Sequence, residues 1–472
     1  MCKFALGSTH VAAPAAETVK RVVICSGKVA WDAMSERTKR NAPVAVVRIE
    51  QLYPFPLDQL VAEIEKYPNA EELVWLQEEP ENMGYWSYII REFGWTRSET
   101  SAAVAINLVV YGLTAPFAAT LMERFSPRRV ATFALALVSA GTALTLTMTE
   151  SWQLSLYWGA FVGVGTGCLA LVFASLVANR WFTKRRGLVT GVFSAAYATG
   201  QLIFLPALGA LVMVEGWRSA SLVVAVFAAA IIPVFLLGFR NSPAEIGAEP
   251  YGGVSNEPTG KAAPRTAVAT LQVLFESFRK PAFWVLAGTF FVCGWTTNGL
   301  IGAHFIPAAH DHGMPMGTAA GLLALVGIFD FVGTILSGWL TDRVNPIWLL
   351  VFYYGLRGLA LFTVPFVLGP TVELPLMFFV VFYGLDWIAT VPPTIELCRK
   401  HFGINQSPTV YGWVFASHMV GAAIAAAFAG AIREMQGSYF VAWITAAVLC
   451  LVAAGAVLIL RKIKPPFVPA AA

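Results

Sequence analysis

The chain has 472 residues, of which 57% are hydrophobic and 13% are charged, whereas soluble domains carry about 25% charged residues. This deficit excludes an ordinary soluble globular protein, and a net charge of +4 without a basic block argues against a nucleic-acid partner. The six cysteines form no Cys-x-x-Cys pair, so we expect neither a disulfide framework nor a zinc site. Eleven of the 32 Lys and Arg residues precede residue 100, which separates a soluble-like head from an apolar body.

The head, residues 1–91, is predicted to be a small α/β fragment. Short apolar runs alternate in it with amphipathic stretches, an order typical of a parallel sheet. We predict three strands and two intervening helices in the order βαβαβ, at residues 21–26, 28–40, 44–49, 57–66 and 73–77.

Three segments of the head resemble the C-terminal domain of the thiamine-dependent component of 2-oxoglutarate dehydrogenase. They read Cys25-Ser26-Gly27-Lys28-Val29, then Val47-Arg48-Ile49-Glu50-Gln51-Leu52-Tyr53-Pro54-Phe55-Pro56, then Gln77-Glu78-Glu79-Pro80. The resemblance covers about residues 20–88. That family's thiamine-diphosphate motif, Gly-Asp-Gly followed by Asn, does not occur in this chain. The resemblance therefore implies no catalytic role, and we expect neither enzyme activity nor a cofactor.

Eleven apolar stretches after residue 100 are long enough to cross roughly 30 Å of hydrocarbon as helices. In lipid, every backbone polar group must be bonded within the protein, so helices are expected. They are predicted at residues 101–122, 130–149, 153–178, 188–214, 219–239, 283–306, 317–340, 347–368, 374–395, 409–432 and 438–460. A polar loop, residues 240–282, divides them into five (residues 92–239) and six (residues 283–472).

The basic residues of the loops predict an orientation. Eighteen Lys and Arg residues lie in loops and the tail on one side of the predicted helices, and two lie on the other. Since the Lys- and Arg-rich side is usually cytoplasmic, we expect a multi-pass protein of the cell membrane with a cytoplasmic C-terminus. The head would then face outward.

Two loops share a pattern at an offset of 219 positions. The second reads Gly338-Trp339-Leu340-Thr341-Asp342-Arg343, and the first carries Glu123 and Arg124 in place of its last two residues, followed by Arg128. Two copies of a helical unit joined by a polar loop indicate a two-bundle transporter. Gly-x-Leu-x-Asp-Arg resembles the signature of the major facilitator superfamily.

Two further motifs resemble the branch of that superfamily that contains oxalate/formate antiporters and monocarboxylate carriers. They are Arg180-Trp181-Phe182-x-x-Arg185-Arg186-Gly187 and Asn241-Ser242-Pro243-Ala244-Glu245-Ile246-Gly247. The resemblance covers about residues 92–465 and implies twelve helices in two halves, so this chain would lack the first. We expect an all-α membrane protein with eleven of twelve helices, joined to the head by a fusion at about residues 86–93.

Four ionisable residues lie near the centres of predicted membrane helices: Asp330, Arg357, Asp386 and His418. Charges at this depth cost about 2.5–3.5 kcal/mol each, so each is a candidate for the substrate or proton pathway. Two other interpretations stay open, a structural ion pair of Arg357 with Asp330 or Asp386, and a packing role for His418. Asn298, with Thr296 and Thr297, is a further candidate for lining the pathway.

These features predict a secondary active transporter of small organic anions, either monocarboxylates or dicarboxylates, with the proton as candidate coupling ion. We expect its transport to be impaired by the loss of the first helix. The alternative is a non-functional fusion that carries a dehydrogenase fragment. His310-Asp311-His312 has no further ligand group nearby in the sequence, so we expect no metal site there.

Overall fold

The computed structural model describes residues 6–7, 15–26, 29–40, 42–49, 57–76, 95, 97–253 and 263–464. The chain forms two compact units, Met1–Ser87 and Tyr88–Ala472.

The first unit contains a four-stranded sheet. Its elements are β1 (Leu6–Gly7), β2 (Arg21–Ser26), α1 (Val29–Arg40), β3 (Val44–Ile49), α2 (Leu57–Ile64) and β4 (Glu72–Leu76). The strand order is β1-β3-β2-β4, and the central β2 is parallel to both β3 and β4. The predicted βαβαβ order is therefore confirmed. The additional strand β1 pairs antiparallel with β3, and its two residues are too few to show a periodic pattern.

Alternate residues of the strands form the core of this sheet. Val22 and Ile24 from β2, and Ala45 and Val47 from β3, are buried together with Leu60 of α2. Parts of the segments that resemble the dehydrogenase, residues 27–28, 50–56 and 77–80, lie outside the described residues, as does the predicted junction at 86–93.

The second unit is built from helices. They are α3 (Arg97–Phe125), α4 (Pro127–Thr145), α5 (Ser151–Trp181), α6 (Arg186–Glu215), α7 (Trp217–Gly238), α8 (Ala267–Phe278), α9 (Pro281–Asp311), α10 (Met316–Thr341), α11 (Pro346–Val367), α12 (Leu374–Phe402), α13 (Ser407–Gln436) and α14 (Phe440–Val457). All except α8 coincide with the eleven predicted membrane helices.

Nine helices within the described residues are long and apolar enough to cross a membrane. The two other predicted crossings, α4 and α6, are helices of 19 and 30 residues. α3 starts at Arg97, before the predicted residue 101. Hydropathy detects the apolar part of a helix and not its polar first turns, which explains this difference.

Three membrane helices depart from regular α-helical geometry. A π-helical stretch occupies Ser155–Val162 of α5, and a second occupies Trp295–Ile301 of α9. α12 is interrupted by a turn at residues 387–390. Such irregularities free backbone groups from the helical ladder and occur often at functional sites.

The five-helix and six-helix halves touch mainly along two pairs of helices, α3 with α13 and α6 with α10, and to a smaller extent where α12 meets α6 and α13 meets α5. A Cβ atom added at Gly412 of α13 would lie 2.5 Å from the Cα of Pro116 in α3. One added at Gly338 of α10 would lie 2.4 Å from the carbonyl oxygen of Gly187 in α6. Residues without a side chain therefore allow the halves to approach closely.

Candidate functional site

Arg357 is the centre of a buried polar cluster in the six-helix half. Its side chain, from α11, is 0% exposed. Nε donates to Oδ2 of Asp386 at 2.6 Å, and Nη2 donates to the carbonyl oxygens of Asp386 and Trp387 at 2.5 and 3.1 Å. Nη1 contacts Sγ of Cys293 at 3.2 Å and Oγ1 of Thr296 at 3.4 Å. Arg357 thus connects three helices and bonds carbonyl groups at the interruption of α12.

Asp330, on α10, contacts the same interruption. Its Oδ1 accepts hydrogen bonds from the Thr334 hydroxyl at 2.7 Å and from the backbone N–H of Ile388 at 2.9 Å. Within the described part of the chain, its Oδ2 is buried without a hydrogen-bond partner, as is Oδ1 of Asp386. The turn in α12 is therefore stabilised from two sides of its backbone: Arg357 donates to its carbonyl groups, and Asp330 accepts from one of its N–H groups.

Of the two acids predicted as partners of Arg357, Asp386 is the one that forms the ion pair. His418, on α13, is buried and stacks against Phe415 with ring centroids 5.8 Å apart, and it lies 4.9 Å from the ring of Phe290. Its Nδ1 has no hydrogen-bond partner among the described residues. The role of these residues in transport stays a prediction.

Asn298 lies on the π-helical stretch of α9, in the same irregular segment as Thr296. It is half-buried, and its amide forms no hydrogen bond to the described residues. Sequence reasoning missed the contact of Cys293 with Arg357 and the backbone groups at the α12 turn. Pro392 and Pro393 are the available signal for that turn, since proline is favoured in the first turn of a helix and the second part of α12 begins at Val391.

The signature loop of the six-helix half reaches across to the other half. Asp342 accepts hydrogen bonds from the backbone N–H groups of Gly187 at 2.8 Å and Leu188 at 2.9 Å. These N–H groups belong to the first turn of α6, where a negative charge also complements the helix dipole. The neighbouring Arg343 lies over the ring of Trp339, 4.0 Å from its centroid. Gly338 and Asp342 together hold the two halves against each other.

The signature loop of the five-helix half makes its contacts within that half. Glu123 pairs with Arg180 of α5 at 2.6 Å, and Arg124 lies over the ring of Phe125. The Arg128 side chain donates to the carbonyl oxygen of Leu236. The two copies of the motif are therefore used differently.

The motif that begins at Asn241 is tied to the same loop. The backbone N–H of Arg128 donates to Oδ1 of Asn241 at 2.9 Å. Hydrogen bonds from the side chain and backbone of Asn241 hold the pKa of Glu245 below its ordinary value. This links the start of the central loop to the start of α4.

A cavity of about 450 Å³ lies between the halves beside Asp342. Its walls come from the start of α6, the α10–α11 loop and the end of α12. The lining residues are Thr183, Arg186, Thr341, Asp342, Arg343, Val344, Asn345, Glu396, Arg399 and Lys400. We refer to it as the basic cavity.

The His310-Asp311-His312 segment is engaged by neighbouring groups. Asp311 accepts two hydrogen bonds from Arg433, at 2.6 and 3.0 Å. Ring nitrogens of His310 and His312 contact backbone carbonyl oxygens at 3.3 and 2.8 Å. Among the described residues, no group of three His, Cys, Asp or Glu side chains is placed to hold a metal ion.

Two family profiles match the chain. The profile of the Major Facilitator Superfamily matches residues 82–426, and that of the 2-oxoglutarate dehydrogenase C-terminal region matches residues 4–125. The head is 53% identical over 75 residues to the 2-oxoglutarate dehydrogenase E1 component of Cupriavidus necator, which is 16% of this chain and 8% of that enzyme. The head thus spans less than a tenth of the length of such an enzyme.

The membrane body has relatives among transporters. It is 23% identical over 357 residues to the uncharacterized MFS-type transporter YcxA of Bacillus subtilis, covering 73% of this chain and 81% of that protein. The human organic anion transporter TETRAN has the same fold with a TM-score of 0.59 and 15% identity, covering 78% of this chain and 88% of that one. The Escherichia coli fucose:proton symporter FucP gives a TM-score of 0.58 and 15% identity, covering 79% and 94%.

The nine membrane-length helices found among the described residues, the repeated signature loops and the profile match over most of the chain agree. The chain is a multi-pass membrane protein that belongs to the Major Facilitator Superfamily, and it carries at its N-terminus a fragment of the 2-oxoglutarate dehydrogenase C-terminal region.

Proposed function

We propose that the membrane body, residues 92–465, is a secondary active transporter of small organic anions that couples their movement to protons. The substrates are monocarboxylates or dicarboxylates. The similarity of the fold to an organic anion transporter and to a proton symporter supports this assignment, as do the motifs that resemble oxalate/formate antiporters.

The observation that carries the proposal is the state of Asp330. Its side chain is buried, its two hydrogen bonds come from neutral donors, and its Oδ2 has no partner among the described residues. An ionised carboxylate in such a place is costly, so the acid is expected to hold a proton at rest. A carboxyl group that gives up its proton only when its surroundings change is suited to coupling.

Arg357 and Asp386 supply the second part of the mechanism. While Asp386 is ionised, it holds Nε of Arg357, and the cation is neutralised. Protonation of Asp386 would remove this negative partner, and the positively charged guanidinium would then be free to bind a carboxylate substrate. Arg357 would then bind the anion in a bidentate geometry. Proton and anion would therefore enter the cluster together, and the net charge moved would be small.

An uptake assay tests this proposal. It uses a version of the chain in which residues 1–91 are replaced by a first helix from a related carrier. Vesicles that hold it should take up labelled formate, oxalate, lactate or pyruvate saturably, and faster when the outside is acidic. Labelled fucose is the neutral comparison. Uptake of fucose without uptake of any of the four anions would contradict the assigned substrate class.

Variants of the cluster test the coupling. Asp386→Asn and His418→Ala should abolish uptake without loss of membrane insertion, and Asp330→Asn should remove the stimulation by acid. The matched control is Glu373→Gln, which changes an exposed carboxylate in the α11–α12 loop and should leave uptake as before. Unchanged uptake in the first two variants would assign those residues a structural role only.

A further inference from the structure

We propose that the basic cavity binds a phosphate group, and that this phosphate holds the two halves of the transporter together at that end. The site is separate from the buried cluster around Arg357. It would act on the conformation of the protein and not on the transported anion.

The charges that line the basic cavity favour an anion. Four of its lining residues are cations and two are carboxylates, which leaves a net charge of +2. Both carboxylates already have partners: Asp342 accepts from two backbone N–H groups, and Glu396 pairs with Arg399 at 2.5 Å and Lys400 at 3.6 Å. By contrast, the guanidinium of Arg343 contacts the carbonyl oxygen and the ring of Trp339, neither of which carries a charge.

The cations come from both halves of the protein. Arg186 stands at the start of α6 in the five-helix half. Arg343 follows α10, and Arg399 and Lys400 lie at the end of α12, all in the six-helix half. An anion bound among them would therefore interact with both halves at once and oppose their separation.

The backbone around the basic cavity adds to this preference. α11 begins at Pro346 next to the lining residue Asn345, whereas the first N–H groups of α6 are already bonded to Asp342. The amino ends of helices carry partial positive charge and attract anions. Arginine and lysine side chains favour phosphate, which offers several charged acceptor oxygens. A volume of about 450 Å³ exceeds that of a phosphate ion, so a phosphate monoester or a phospholipid headgroup would also fit.

The test is thermal unfolding of the purified full chain in detergent, followed by tryptophan fluorescence during a titration with inorganic phosphate. Sodium chloride keeps the ionic strength constant, because exposed charges are screened by salt. Phosphate should raise the unfolding midpoint saturably, as a ligand of the folded state does. In the double variant Arg343→Gln with Lys400→Gln, the phosphate concentration that gives half of the shift should rise at least about tenfold.

Lys464→Gln is the matched control, because it removes one exposed cation near the C-terminus and outside the basic cavity. It should respond to phosphate as the unmodified chain does. If the double variant has no cooperative transition, Arg343→Gln alone is used, since this side chain is exposed on its loop. The site is overturned if phosphate does not change the unfolding midpoint, or if it changes the midpoint of the double variant as much as that of the unmodified chain. The exception is a lipid headgroup effect that depends on these cations, which the lipid experiment measures.

A second arm separates a soluble phosphate from a lipid headgroup. The chain is placed in phosphatidylcholine nanodiscs with and without phosphatidylglycerol. A phosphate response that phosphatidylglycerol leaves unchanged assigns a soluble ligand. If phosphatidylglycerol raises the midpoint of the unmodified chain but not of the double variant, the ligand is a lipid headgroup. Equal effects of the lipid on both proteins, without a phosphate response, overturn the proposal. Because these readouts measure binding, they do not depend on whether the chain transports anions.

Discussion

At the scale of residues, Arg357 and Asp386 form a buried ion pair in the six-helix half. A charged group at membrane depth costs about 2.5–3.5 kcal/mol on insertion scales, and Arg357 is shielded from this cost by its hydrogen bonds to Asp386 and to carbonyl groups of α12. A buried ion pair adds little net stability, but loss of one partner leaves the other charge buried and unpaired.

Replacing Arg357 by Met should therefore destabilise the protein by about 3–5 kcal/mol, as measured by unfolding in detergent. The double variant Arg357→Met with Asp386→Leu should be more stable than Arg357→Met alone, because no unpaired charge remains. Lys464→Met, at an exposed site, is the control and should stay within about 0.5 kcal/mol. If the double variant were as unstable as the single one, the carbonyl groups of α12 and not the charge pair would account for the loss.

At the scale of elements, the existence and the approximate positions of the membrane helices follow from the sequence, because each must supply an apolar stretch that crosses the hydrocarbon core. The contacts between helices do not follow in the same way. A Cβ atom at Gly333 of α10 would lie 1.9 Å from the carbonyl oxygen of Leu385 in α12, yet the sequence around Gly333 does not reveal this partner.

The candidate site shows the same limit. Its charged members could be found from their depth in predicted helices, since intramembrane charges are rare. The choice of Asp386 over Asp330 as the partner of Arg357 depends on the turn at residues 387–390, which exposes carbonyl groups to the cation and an N–H to the other acid. Residues 374–395 form one uninterrupted apolar stretch in the hydropathy pattern, which therefore predicts no such turn.

The close contact between α6 and α10 gives a prediction at this scale. Gly338→Ala should push the halves apart at the signature loop, because the new Cβ would meet the carbonyl oxygen of Gly187 at 2.4 Å and the Cα of Gly191 at 2.8 Å. We expect the Gly338→Ala variant to have a lower unfolding midpoint than the unmodified chain. A cysteine introduced at Thr341 should also react faster with a thiol reagent in this variant. Gly355→Ala is the control, since nothing lies within 4 Å of its added Cβ. It should be neutral or stabilising by up to about 1 kcal/mol. Equal effects of the two substitutions would rule out the contact as the cause.

At the scale of the whole molecule, the chain joins two unrelated parts. The head folds as a sheet fragment that spans 8% of the length of the dehydrogenase component it resembles. The body carries the membrane helices and the charge asymmetry of its loops. If the basic side is cytoplasmic, α3 starts outside and the head must be exported with it. If the head stays inside, the five-helix half must invert against its own basic loops.

Labelling with a membrane-impermeant thiol reagent in intact cells tests the predicted orientation. A cysteine introduced at Glu249, in the central loop, should be protected, as should residues 123–129 and 179–187. A cysteine introduced at Thr371, in the α11–α12 loop, should react. Both positions are exposed, so a difference reports the side of the membrane. Labelling at position 249 from outside would contradict the charge-based topology.

The most direct test of the proposed transport function is an uptake assay with labelled anions. It compares the unmodified chain with the version that has a restored first helix. If the first helix is missing, as the sequence predicts, we expect polar walls and small-residue faces of the five-helix half to be left against lipid, where helix packing is lost. The alternating movement of two halves then fails. We predict uptake of formate, oxalate, lactate or pyruvate into vesicles by the repaired version and none above background by the unmodified chain. Equal uptake by both would show that the five and six helices suffice, and no uptake by either would contradict the assignment of an organic anion transporter.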